Sequence, residues 1–296
     1  MGDMAITVLT PDDNERPRVA IPHISFSQLS TYLRCSLQYY YAYVLRLRQR
    51  PSLPMSIGSG GHSALEYNGR HKIKTGLDLD MPDLMDIAST FIDYETQELE
   101  PQDLNGASIG TAKDGALAAI YVYRHRDAEA ITPAGVEIEF NLDLNVENRD
   151  PIRIVNGKID LITTDGSVED YKFVSRARSQ GDVDLSPQLT LYGKVVKTLT
   201  GRYPTQTGYR MFLPGGTRTP PDVRALYRDA SLMTPEKQER RFTRLATQFE
   251  QVERDIRAGR YIPSDDSKTC AWCGYRDRCQ ASRVDDFEAR TIRGDQ

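Results

Sequence analysis

The 296-residue chain has one tryptophan, four cysteines and no apolar run near the roughly 18–20 residues that a membrane span requires. It also lacks a basic excess. Its 38 Lys+Arg face 42 Asp+Glu, for a formal net charge of -4. That balance excludes a uniformly basic nucleic-acid coat and a polybasic membrane-surface protein. The first residues, with Asp3, Asp12, Asp13 and Glu15, lack the basic-then-apolar order of a secretory signal. No Gly-x-x-x-x-Gly-Lys-Ser/Thr stretch is present, so no phosphate-loop motor is expected. These absences lead to the expectation of an intracellular, cytoplasmic protein with no membrane partner. Hydrophobic residues make up 39% of the chain, enough for a substantial core and too many for wholesale disorder.

The charge is unevenly spread. Residues 77–105 hold nine acidic side chains and no Lys or Arg, whereas 16–50 hold six arginines and no acid. A localised path for a polyanion therefore remains open. Residues 1–20 are polar and expected to be flexible, and 284–296 form a tail. Between them, 21–283 is expected to be one domain. Its parts are a helical region at 21–130, a sheet core at 131–230, and a long helix with a cysteine-rich segment at 231–283.

Ser25 and Gln28 have capping-box spacing, and Phe26, Leu29, Tyr32, Leu33 and Tyr39-Tyr40-Tyr41 recur at helical intervals, predicting a helix over 26–47. Gly58, Gly60 and Gly61 predict a turn before a helix starting near His62. Further helices are expected at 83–100 and 111–128. The period then becomes two. Val136, Ile138, Phe140, Leu142 and Leu144 alternate with other residues, predicting a strand over 135–146. Strands follow at 152–163 and 167–174, joined by the hairpin signal Asp165-Gly166. A helix at 187–200, strands at 206–213 and 222–228, and a charged helix at 235–258 complete the reading.

The segment Asn156-Gly157-Lys158-Ile159-Asp160 is followed by Glu169-Asp170-Tyr171-Lys172. Asp170 and Lys172 are two apart on a strand and share a face. The hairpin brings Asp160 beside them. Two carboxylates and a lysine at one place suit phosphodiester cleavage. The carboxylates can hold Mg²⁺ or Mn²⁺, and the lysine can orient a water or offset negative charge. The bland alternative is a solvated cross-strand ion pair. Gln188 and Tyr192, four apart, share a face of the next helix.

These motifs, in this order, resemble the PD-(D/E)XK nucleases of the RecB-like exonuclease group. That group also has a histidine upstream, similar to His62 in Gly58-Ser59-Gly60-Gly61-His62-Ser63-Ala64-Leu65-Glu66. The resemblance runs from about Ser25 to Cys279. It implies an α/β fold with a mixed sheet flanked by helices. It also implies that His62, Asp160, Asp170 and the Tyr171 carbonyl bind the metal, that Lys172 is the catalytic lysine, and that Gln188 and Tyr192 position the substrate strand or the lysine. Glu137 is a further acidic candidate, but Glu139 competes, since alternation puts both on one face.

Cys270-x2-Cys273-x5-Cys279 can wrap one metal centre, with Cys35 as the only candidate for a fourth ligand. Thiolates suit tetrahedral zinc or an iron–sulfur cluster. The one-plus-three split differs from the two local pairs usual in structural zinc sites. It resembles the iron–sulfur staple of AddB-type nuclease domains and CRISPR-associated RecB-like exonucleases, which implies a [4Fe-4S] cluster tying the domain's ends together.

Arg34 and Arg46, with neighbouring tyrosines, and Arg176 and Arg178, just after the catalytic strand, are the candidate DNA contacts. The resemblance thus implies a metal-dependent DNA exonuclease of recombination or repair. DNA ends would be its partner, alongside a recombination protein, and its compact size suits a phage or mobile element. The alternatives are a CRISPR-adaptation trimming nuclease within a complex, or a catalytically silent cluster-binding DNA module. The intact Asp160, Asp170 and Lys172 set argues against silence.

Overall fold

The computed structural model describes residues 23–47, 51–144, 154–271 and 273–279. The expected N-terminal arm and C-terminal tail lie outside these residues, as do Arg16, Arg18, Arg48 and Arg50. The chain divides into two units, one of Met1–Gln49, Leu144–Ile154 and Thr247–Gln296, the other of Arg50–Asp143 and Val155–Ala246.

In the first unit, a short strand β1 (His23–Ser25) leads into α1 (Phe26–Arg34), whose Ser25–Gln28 capping box forms as its spacing predicts. The expected continuous helix to residue 47 is interrupted. Cys35 is extended, with φ -161°, and divides α1 from α2 (Ser36–Tyr39) and a π-helical turn at Tyr40–Val44. These helices are laced to the chain's C-terminal segment. Tyr32 OH donates to Arg260 O at 2.6 Å, Leu37 N–H to Ile262 O at 3.2 Å, and Tyr275 OH to Leu47 O at 2.8 Å. The tyrosines pack on one another. Tyr39 lies 4.9 Å from Tyr43, and Tyr40 lies 4.8 Å from Tyr261, centroid to centroid. Edge and tilted contacts of this kind add to ordinary burial.

In the second unit, α3 (Leu53–Thr75), α4 (Met81–Thr96) and α5 (Ile109–Arg126) precede the strands β2 (Pro133–Asp143), β3 (Ile154–Thr163) and β4 (Ser167–Phe173). The helices α6 (Gln180–Asp184) and α7 (Pro187–Thr200) then lead to β5 (Gln206–Leu213) and β6 (Asp222–Tyr227). A long helix, α8 (Pro235–Arg257), crosses the division in sequence. The sheet is mixed. β2 pairs with β3, and β3-β4-β5-β6 follow in order, β4 and β5 parallel and the pairs β3–β4 and β5–β6 antiparallel. A parallel pair needs a long crossover, which α6 and α7 supply. Gly166, at φ +84°, closes the hairpin as Asp165-Gly166 predicts.

Alternation along β4 sends Asp170 and Lys172 to one face and Glu169, Tyr171 and Phe173 to the other. Tyr171 and Phe212 pack with Ala64, Leu65, Leu84, Ala88, Ile120 and Tyr123 in the main core, between the sheet and α3–α5. α7 covers the Asp170 face through Gln188 and Tyr192. Helices therefore flank both faces of the sheet, as the expected fold requires.

One expectation fails for a packing reason. α3 begins at Leu53, not near His62, so Gly58, Gly60 and Gly61 lie inside the helix. A Cβ at residue 60 would sit 2.7 Å from Ile92 Cα, and one at residue 61 would overlap the Phe173 ring. Two of these glycines permit close contact and do not break the helix.

Candidate active site

His62 is presented from α3, Glu137 from β2 and Asp160 from β3. His62 Nδ1 lies 3.5 Å from Asp160 Oδ2 and 3.9 Å from Glu137 Oε1. Ligand atoms of the three lie within 4.8 Å of one another, the only such set of His, Cys, Asp and Glu among the described residues. An imidazole and two carboxylates form a donor set suited to a divalent cation such as Mn²⁺.

Glu137 owes its place to its backbone. Its φ of +47° puts it in the left-handed region, sparsely populated by non-glycine residues. The kink breaks the alternation that would give Glu137 and Glu139 one environment. Glu137 sits by His62 and is largely buried, whereas Glu139 is exposed; Lys158 Nζ lies 3.8 Å from the first and 3.3 Å from the second. The sequence left this pair open because it shows no sign of the kink.

Pairing Leu161 with Glu169 places Asp160 opposite Asp170 across β3 and β4. Asp160 Oδ2 accepts the Tyr171 N–H at 2.7 Å. Burial and the facing Asp170 charge push the Asp160 carboxyl up to about 7. Burial opposes the charged form of His62, but the Glu137 hydrogen bond and the Asp160 and Asp170 charges outweigh it and raise its pKa.

Asp170 lies outside the set of three. Its Oδ1 accepts Gln188 Nε2 at 2.7 Å and Tyr192 OH at 3.2 Å. Its Oδ2 lies 2.6 Å from Lys172 Nζ, yet no hydrogen bond of good geometry reaches that buried oxygen. Burial works against the Lys172 ammonium, and Asp170 more than compensates, so the lysine pKa is raised. The Tyr171 ring lies in the core, 5.6 Å from Phe212 and 6.2 Å from the His62 ring, centroid to centroid, while its backbone N–H meets Asp160.

Of the candidate DNA contacts, Arg176 and Arg178 are exposed just beyond β4. The Arg178 guanidinium lies 4.9 Å from the Tyr209 ring centroid. In the first unit, Arg34 bonds the Gln38 side chain at 3.1 Å, and Arg46 is exposed at φ +51°. Sequence reasoning did not single out Tyr209 or Ser186. Their signal is positional, since Tyr209 stands opposite Asp170 in the parallel register.

Cys35, Cys270, Cys273 and Cys279 line one recess in the first unit, with Leu37, Gln38 and Tyr41. No disulfide links them.

Among the described residues no helix is long and apolar enough to cross a membrane. A search of curated proteins finds no match to the chain. Among solved structures, a protein of Eubacterium rectale described as a "putative exonuclease" superposes with a TM-score of 0.54 at 12% identity. That alignment covers 88% of this chain and 87% of the other, and at such identity it is a likeness of fold. The sequence pattern of the PD-(D/E)XK nuclease superfamily matches residues 23–280. That match takes in the α3 histidine, the carboxylate strands and the Gln188–Tyr192 helix, and the chain belongs to the PD-(D/E)XK nuclease superfamily.

Proposed function

We propose that the protein is a divalent-metal-dependent DNA exonuclease that hydrolyses phosphodiester bonds at linear or single-stranded ends, in recombination or repair. The observation that carries this reading is the convergence of His62, Glu137 and Asp160 beside the Asp170–Lys172 pair. His62, Glu137 and Asp160 would hold Mg²⁺ or Mn²⁺, with Asp170 and the Tyr171 carbonyl as further ligands implied by family likeness. The bound cation supplies Lewis-acid polarisation and a more acidic water. Lys172, kept protonated by Asp170, places positive charge where a phosphate gains negative charge. Gln188 and Tyr192 hold the Asp170 carboxylate in orientation. Arg176 and Arg178 offer phosphate contacts beside the site.

The test is digestion of end-labelled single- and double-stranded DNA with Mn²⁺, comparing the wild type with Asp170→Ala and Lys172→Ala. Loss of mononucleotide release in both variants is expected. Variants as fast as the wild type would overturn the mechanism, and internal cuts without end release would overturn the exonuclease assignment.

A [4Fe-4S] cluster held by Cys35, Cys270, Cys273 and Cys279 belongs to the same proposal. Four cysteines lining one recess support it. Its role would be structural, since it would join segments far apart in sequence and couple ligation to folding. A cytoplasmic setting would keep the thiols reduced. Anaerobically purified protein should contain iron and acid-labile sulfide in equal amounts. Stoichiometric zinc without iron would refute the cluster.

A further inference from the structure

We infer that Tyr209 is a positioning residue of this site, fixing which end of the Gln188 amide faces Asp170 and holding Arg178 beside the reacting phosphate; the second half rests on the nuclease reading. Tyr209 is 3% exposed on β5 and stands opposite Asp170. Its hydroxyl is at the centre of a directed chain. The Leu189 N–H donates to Ser186 Oγ at 3.2 Å. The Ser186 and Tyr209 hydroxyls lie 2.6 Å apart, and the Tyr209 O–H donates to Gln188 Oε1 at 3.4 Å. With that donation made, the Ser186 proton is the one left for the Tyr209 oxygen.

An amide can present either end to a carboxylate, and only the NH₂ end bonds it favourably. By engaging Oε1, Tyr209 turns Nε2 toward Asp170 at 2.7 Å and Tyr192 OH at 2.9 Å. The N-cap of α7 and the carboxylate of β4 are thereby linked through one phenol.

The ring of Tyr209 does the second task. Arg178 lies 4.9 Å and Lys172 Nζ 5.6 Å from its centroid. Such cation–aromatic contacts hold a guanidinium in place without consuming its hydrogen-bond donors. The Arg178 backbone is tied down as well, its N–H donating to Met211 Sδ at 3.1 Å, and Met211 is the β5 partner of Lys172. Arg178 keeps its guanidinium donors for a phosphate.

Tyr209→Phe keeps the ring and removes the hydroxyl, whereas Tyr209→Leu removes both. Two readouts separate the tasks. The first is kcat and KM with Mn²⁺, and the second is DNA affinity against salt, measured by anisotropy with Ca²⁺ and without turnover. Tyr209→Phe should lower kcat about tenfold with KM and affinity unchanged. Tyr209→Leu should also weaken DNA binding by about fivefold and flatten the salt slope by roughly one phosphate contact. Arg178→Ala should reproduce the binding loss, and its combination with Tyr209→Leu should add little more.

Wild-type kcat in Tyr209→Phe would overturn the amide assignment. Wild-type affinity in Tyr209→Leu, or full additivity with Arg178→Ala, would overturn the arginine assignment. If Tyr209→Leu does not fold, Tyr209→Phe still decides the amide assignment, and wild-type DNA affinity in Arg178→Ala would still overturn the arginine assignment. A wild type that binds DNA but cleaves none would refute the nuclease reading, and the binding readout would stand. No binding at all would refute the arginine assignment with it.

Discussion

Lys172 Nζ lies 2.6 Å from Asp170 Oδ2, two residues along the same face of β4. Asp170 raises the lysine pKa despite burial, so the ammonium persists through neutral pH. On the proposed nuclease reading, Lys172 would then act by charge and not as a free base. Lys172→Gln should lower kcat by about 10²–10³-fold, a range typical of removing one preorganised charged donor. Lys172→Arg should retain about tenfold more activity than Gln. Equal kcat values for the two variants would argue for proton abstraction.

Glu137 is held at φ +47°, where a longer side chain costs roughly 1–2 kcal/mol and asparagine is tolerated. Glu137→Asn and Glu137→Gln both remove the charge, but only Asn relieves the backbone. Without metal, denaturant unfolding should find the Asn variant more stable than the Gln variant by about 1 kcal/mol. Both should bind Mn²⁺ more weakly than the wild type in calorimetric titration.

Asp160 is pushed up to about 7 by burial and Asp170, and His62 is also raised. Both shifts have the same sign for stability. A group whose folded pKa is raised stabilises fully below its unfolded value, and that contribution fades as pH climbs through the folded value. Metal-free protein should therefore lose thermal stability as pH rises from about 4 through about 7, with His62 adding a further loss above its ordinary value. If Asp160 and His62 hold the cation as proposed, binding needs the carboxylate and the neutral imidazole, and Mn²⁺ affinity should fall at least about tenfold per pH unit below roughly 7. Unfolding scans across pH, with Mn²⁺ or with chelator, check both trends. A flat profile for Mn²⁺ affinity would remove Asp160 from the metal ligands.

On the opposite face of β4, Arg210 grips Glu169 with two bonds, Nε to Oε2 at 2.6 Å and Nη2 to Oε1 at 2.8 Å. Its Nη1 also reaches Asp127 Oδ2 at 3.1 Å, and Tyr227 OH bonds Glu169. Arg210→Met leaves a buried carboxylate unpaired and should cost about 3–5 kcal/mol in urea unfolding. Adding Glu169→Leu to that variant should restore part of the loss.

Local chemistry made much of this legible. Asp165-Gly166 announced the hairpin that brings Asp160 to Asp170, and the four-residue spacing of Gln188 and Tyr192 put both over Asp170. What stayed hidden depends on partners distant in sequence. Gly60 and Gly61 signal a break by propensity, and only Ile92 and Phe173 reveal why they lie within a helix. Glu137 and Glu139 are equivalent until the strand kinks. Tyr209 carries no motif, and its importance lies in the register of a strand reached through a helical crossover.

The bare Cα of Gly61 gives this register a third dimension. His62 is the next residue, and its helix can settle against Phe173 of β4 only because residue 61 has no side chain there. The gap between imidazole and carboxylate is thus gauged by a missing methyl group. Alanine at 61 would act as a shim under α3, lifting the histidine off the carboxylates while leaving His62, Glu137 and Asp160 themselves unchanged.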